Sequence, residues 1–130
     1  MDRQIVKLAV VGSRDFPEKQ IVLDHLARAL HTAVLKNMRI HIITGGAPGV
    51  DTWAEHWARR NQIMYTVIPA EWELFGKSAG FKRNPEIWDM ADKGLAFWDG
   101  ESKGTQDSFK LAADRNKQLV VINYKEILPW

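Results

Sequence analysis

The stretch Ile42-Ile43-Thr44-Gly45-Gly46-Ala47-Pro48-Gly49-Val50-Asp51 constrains the fold of this chain more than any other. An apolar run stops in a glycine-rich turn, and a helical pattern begins directly behind it. A strand that feeds a helix through glycines aims backbone N–H groups at the helix N-terminus, a setting that suits phosphate or another anion. It also commits the chain to a strand-to-helix step, and the rest of the sequence repeats that step.

Ile5 to Val11 is apolar apart from Lys7 and is closed by Gly12, which reads as a short strand covered on both faces. After the loop Gly12-Ser13-Arg14-Asp15, Pro17 suits the first turn of a helix. Val22, Leu26, Ala29, Leu30 and Ala33 then recur at helical spacing up to Lys36, with Arg28 and Lys36 off the stripe. Ile40 to Thr44 is the second strand. The helix from near Val50 carries Trp53, Ala54, Trp57 and Ala58 on one side and ends at Arg59-Arg60-Asn61. Ile63 to Ile68 is the third strand, closed by Pro69.

Glu71 to Arg83 breaks the rhythm and reads as a long polar and aromatic loop. Asn84-Pro85-Glu86 then opens a short helix, with Asn as cap and Pro at its first position. Gly94–Trp98 and Leu119–Asn123 supply the fourth and fifth strands. Between them a helix runs from Gln106 to about Asn116, with Thr105 as its cap. This alternation predicts an α/β fold: a Rossmann-like three-layer sandwich with a five-stranded, mainly parallel sheet and helices on both faces. The 130 residues, 45% of them hydrophobic, suit a single domain spanning the whole chain.

Composition narrows the function classes. The chain has no cysteine, which removes disulfides, thiolate metal sites and cysteine nucleophiles. No metal or cofactor is expected. The first residues lack a signal-peptide plan and no apolar run is long enough to span a bilayer, so a cytoplasmic protein without a membrane partner is expected. Eighteen basic residues face sixteen acidic ones, a net charge of +2. That near balance makes nucleic acid an unlikely partner, because phosphate contacts supply most non-specific affinity.

The polar clusters all follow strands, and in an open α/β sheet ligands bind beyond the carboxyl ends of the strands. Gly12, Ser13, Arg14 and Asp15 follow the first strand. Gly45, Gly46, Ala47, Gly49 and Asp51 follow the second. Trp72, Lys77, Lys82, Arg83 and Asn84 lie beyond the third, and Asp99, Gly104 and Thr105 beyond the fourth. Each has an ordinary structural reading as well: tight turns, close strand–helix packing, a solvated loop, a first-turn acid favoured by the helix dipole. Four such clusters on one rim make a stronger case than any one alone. Arg14, Lys77 and Arg83 suit phosphate or carboxylate, whereas Asp51 suits a sugar hydroxyl or a neighbouring arginine. Trp72 and Phe75 suit stacking on a base or covering the site. Trp53, Trp57, Trp88 and Trp98 read as core or interface.

With these residues in place the sequence resembles the SLOG superfamily, which groups the LOG ("lonely guy") proteins with the Rossmann domain of DprA. Within it the chain is most similar to the YspA/YpsA-related family of small bacterial and phage proteins. The resemblance rests on Val11-Gly12-Ser13-Arg14-Asp15-Phe16, Thr44-Gly45-Gly46-Ala47 and Gly49-Val50-Asp51. It continues through Pro69-Ala70-Glu71-Trp72, Gly76-Lys77-Ser78-Ala79-Gly80, Arg83-Asn84, Ala96-Phe97-Trp98-Asp99-Gly100 and Lys103-Gly104-Thr105. It implies a site for a nucleotide or a nucleotide-derived ligand such as an ADP-ribose-like molecule, an NAD fragment or a nucleoside phosphate. It also implies a homo-oligomer.

LOG-type members cleave the base–ribose bond of nucleoside monophosphates with a Gly-Gly-x-Gly-Thr turn, a glutamate soon after it and an arginine from an earlier helix. This chain departs from that pattern. The doubled glycine is lost, and Asp107 stands two residues beyond Thr105 in place of a glutamate. By the resemblance Asp107 and Arg83 are the catalytic candidates. The shorter acid withdraws its carboxylate by a methylene, which weakens the case for turnover. Ligand binding as a sensor or processing domain is the first expectation. An N-glycosidase is the second, and DprA-like single-stranded nucleic-acid binding the third.

Overall fold

The computed structural model describes residues 3–127. Five strands, β1 (Gln4–Gly12), β2 (Met38–Thr44), β3 (Met64–Val67), β4 (Lys93–Trp98) and β5 (Gln118–Asn123), form one sheet in the order β3-β2-β1-β4-β5. Every neighbouring pair is parallel, so the sheet is parallel throughout.

The helices α1 (Lys19–Leu35) and α2 (Val50–Arg60) cover one face. Their Val22, Leu26, Ala54 and Ala58 are buried against Leu8, Val10, Ile40 and Ile42 of the strands. α4 (Ala79–Met90) and α5 (Lys103–Asp114) cover the other face, where Ile87, Trp88 and Ala112 pack on Ala9, Val11, Ile43 and Ala96. Alternate strand residues therefore enter different cores, as expected for a sheet covered on both sides. The result is the expected Rossmann-like three-layer sandwich. Connections run to one side of β1 through α1 and α2 and to the other side through α4 and α5. The strand order thus switches between β1 and β4, where a crevice opens at the carboxyl ends.

Trp88 is fully buried, and Gly94 leaves it room: a Cβ there would stand 2.5 Å from the indole Cη2. Trp53 and Trp57 are half-buried against the α1–α2 core. Trp98 lies edge-on to Phe109, with ring centroids 5.3 Å apart.

The structure differs from the sequence expectation at the starts of two helices, α4 and α5. Residues 71–83 are not a loop but α3 (Trp72–Phe75), a 3₁₀ turn (Gly76–Ser78) and the first part of α4. Asn84 does not cap a helix, and Pro85 lies inside one. Pro85 removes one helical N–H, whose acceptor would be the carbonyl of Phe81. Burial of Ala79, Ile87 and Trp88 holds the helix together despite that loss. Asn84 itself faces inward, and its Nδ2 donates to the Asp107 carboxylate at 3.1 Å and to the Gly104 carbonyl at 3.4 Å.

The cap of α5 is Ser102, three residues ahead of Thr105; its Oγ accepts the Thr105 N–H at 3.3 Å. α6 (Tyr124–Ile127) is a single turn after β5.

Candidate functional site

The carboxyl ends of β1, β2 and β4 surround a cleft of about 430 Å³ bounded by α4 and the N-terminus of α5. The β1 loop contributes Gly12, Arg14 and Asp15; the β2 loop contributes Ala47 and Asp51. Trp72, Lys77, Arg83 and Asn84 line the wall between β3 and β4, and Asp99, Gly104 and Thr105 the wall beyond β4. Twelve of the rim residues singled out from the sequence therefore face one space.

Ser13, Gly45, Gly46 and Gly49 lie behind that surface. Ser13 is buried, accepts the Asp99 N–H at 3.1 Å and shares a 3.3 Å hydrogen bond with the Thr105 hydroxyl. Its own N–H donates to the Phe97 carbonyl at 3.0 Å, which locks the β1 and β4 loops together. Gly49 has φ +85°, and a Cβ there would stand 2.5 Å from the Arg14 carbonyl oxygen. Only glycine lets the β2 loop close on the β1 loop.

The glycine turn is already satisfied by an anion of the chain itself. The Gly45 and Ala47 N–H groups donate to one oxygen of Asp51, at 3.2 and 3.3 Å. Asp51 opens α2, so its carboxylate also sits at a helix N-terminus. Its side chain is buried, and the second oxygen, Oδ1, has no hydrogen-bond partner among the described residues. Burial pushes the carboxyl up to about 6, against the pull of the Ala47 N–H, of Arg83 and of the Gly45 and Gly12 N–H groups.

Arg83 braces this arrangement from α4. Its Nη1 donates to the Gly45 carbonyl and, at 3.1 Å, to the Ile68 carbonyl, and its Nε donates to Asn84 at 3.0 Å. Burial lowers its pKa, and Asp51 and Glu86 oppose that fall. Arg83 thus ties the ends of β2 and β3 to α4, and its charge acts on Asp51.

Arg14 and Lys77 are exposed and form no ion pair among the described residues. The Arg14 guanidinium lies 5.1 Å from the ring centroid of Trp72, across the mouth of the cleft. Asp99 is turned inward. Burial alone would raise its pKa, but the N–H groups of Ser102 and Glu101 and the Ser13 hydroxyl hold it below the usual value. Both N–H groups reach its Oδ1 at 2.8 Å. Asp107 does not line the cleft, and its carboxylate is engaged by Asn84.

Sequence reasoning missed Phe81, Glu101, Ser102 and Ser108, which also line the space. Ser102 was legible as a cap three residues before Thr105. Phe81 became visible only once α4 was seen to begin at Ala79.

The model of the YspA, cpYpsA-related SLOG family matches residues 6–75. Gene 61 protein of Mycobacterium phage D29 is 36% identical over 124 residues, covering 91% of this chain and 95% of that protein. Among solved structures, DNA processing protein A from Helicobacter pylori, solved for its unique single-stranded DNA binding mode, superposes with a TM-score of 0.67 at 23% identity. The match covers 89% of this chain and 64% of that one, just under two thirds. That likeness is one of fold. It overturns the expectation that nucleic acid is an unlikely partner, since a protein of this fold binds single-stranded DNA. Net charge does not report where charges lie: Arg14, Lys77 and Arg83 line the cleft, beside Asp15, Asp51, Asp99 and Glu101.

Proposed function

Because the chain belongs to the YspA, cpYpsA-related SLOG family, we propose that it binds a nucleotide-derived ligand in the rim cleft, as a sensor or processing domain. One observation carries this reading: among the described residues Asp51 Oδ1 has no partner and Arg14 and Lys77 form no ion pair, and all three residues line one cleft. A buried acceptor left without a donor is costly, and a ligand hydroxyl or amine relieves it. The same carboxylate repels phosphate. The ligand therefore enters with a ribose or base donor toward Asp51 and its phosphate toward Arg14, Lys77 and the exposed start of α5 at Lys103-Gly104. The glycine turn, with its N–H groups given to Asp51, is the support of the pocket and not its phosphate cradle.

Calorimetric titration with AMP, ADP-ribose and an NAD fragment tests this. Binding of at least one, weakened about tenfold or more by Arg14→Ala through loss of a charge-assisted contact, is the expected result. No binding across the panel overturns the reading.

A second reading, a single-stranded nucleic acid on the same rim, draws support from the fold neighbour and from the exposed aromatics. Trp72 is 46% exposed and Phe81 45%, and both line the cleft with Arg14 and Lys77. Aromatic faces interleaved with cations suit stacked bases and their phosphates. A thymidine oligonucleotide in the same titrations, repeated with Trp72→Ala, separates the two. N-glycosidic turnover has less support, because Asp107 is held by Asn84. Release of free base that Asp107→Ala abolishes would restore it.

A further inference from the structure

The α1 face of the sheet is only partly covered. α1 and α2 pack over β1, β2 and β3, while Phe16 and Tyr124, whose ring centroids are 5.6 Å apart, close the upper end of β4 and β5 beside the buried Phe97. Below them, toward the amino ends of the strands, no helix lies over β4 and β5 among the described residues. Leu8 of β1, Leu95 of β4 and Val120 of β5 floor an open groove of about 280 Å³, walled by Ala29 and Ala33 of α1. Val120 is 47% exposed. Among the described residues, the charged side chains along the groove are Arg28 and Lys36 from α1 and Lys93 from β4, and no carboxylate lines it.

We propose that this groove seats an acidic amphipathic helix of a partner protein. Strands β1, β4 and β5 at their usual spacing of about 4.8 Å make a strip about 10 Å wide, which is the diameter of one helix. The groove is thus a vacant place in the layer that α1 and α2 already occupy. The floor takes an apolar stripe, and three cations beside it select acidic flanks. A second copy of this chain fits less well. Across a twofold axis the patch meets itself, setting Arg28, Lys36 and Lys93 against their own counterparts. Arg28 and Lys36, which lie off the apolar stripe of α1, thereby acquire a role. The proposal is independent of the rim cleft, which opens at the opposite ends of the strands.

The test uses a synthetic amphipathic peptide of about four helical turns, with leucines at i, i+3, i+4 and i+7 and glutamates on both flanks, and a twin with lysines in their place. Each is titrated into the ¹⁵N-labelled full chain. The glutamate peptide is expected to bind about tenfold tighter or better, with shifts confined to α1, β4 and β5. Val120→Glu should abolish that binding. Lys93→Glu, an exposed change, should shrink the preference even if the first variant folds poorly. Four results overturn the proposal: no binding of either peptide at about 1 mM, equal binding of both, shifts centred on the rim cleft, or a concentration-dependent dimer of the unmutated chain that Val120→Glu dissolves.

Discussion

Asp51 concentrates the tension of the site in one side chain. Its carboxyl titrates near 6 in the folded protein against an ordinary 3.8, so the folded state holds the proton more tightly than the unfolded chain does. The stability this contributes is present below about pH 4 and is lost as pH rises through about 6. Asp51→Asn keeps an acceptor for Gly45 and Ala47 but does not titrate. The stability of the variant relative to the parent is therefore expected to climb between those pH values, by on the order of 2–3 kcal/mol, and to level off above them. Urea denaturation at stepped pH reads this directly, and a gap that stays flat would mean the carboxyl is not raised. Gly49→Ala forces a side chain into a positive φ and against the Arg14 carbonyl, so a loss of about 1–3 kcal/mol is expected in the same assay.

Among the elements, α4 is where sequence and structure part. Asn84-Pro85-Glu86 has the composition of a helix start, and the local pattern favours that reading. The helix nevertheless begins at Ala79, because the burial of Ala79 and the packing of Ile87 and Trp88 on the sheet outweigh one lost hydrogen bond. Local sequence carries no sign of those contacts. The strands were legible to within a residue or two, since each is a compact apolar run closed by a turn. The rim residues were legible for the same reason, as polar clusters that follow strands. What stayed hidden was direction: nothing in Gly45-Gly46-Ala47 says that its N–H groups turn inward to Asp51. Pro85→Ala restores a donor to the Phe81 carbonyl and is expected to raise the melting temperature, by about 1–3 kcal/mol of stability. A lower melting temperature would assign the proline ring a packing role instead. Asn84→Ala removes the tie between α4 and α5 and is expected to cost about 1–2 kcal/mol and to weaken ligand binding as the cleft wall loosens.

At the scale of the molecule, charge is distributed rather than abundant. Behind the net charge of +2, the cleft is mixed, with Arg14, Lys77 and Arg83 lining it beside Asp15, Asp51, Asp99 and Glu101. If a single strand lies along Arg14, Lys77 and Lys82, three phosphate contacts predict a slope of about −2 in log K against log salt; a nucleotide held mainly through Asp51 and one phosphate gives a slope well short of that. Filter-binding or anisotropy across a salt series distinguishes them. The inward-turned Asp51 also bears on time. A glycine turn that holds its own carboxylate keeps its shape in the empty protein, so no loop must freeze when a ligand arrives. Association should then run at the pace of encounter, set by Arg14 and Lys77. Variants of the inner wall should change how long a ligand stays and leave how quickly it arrives untouched.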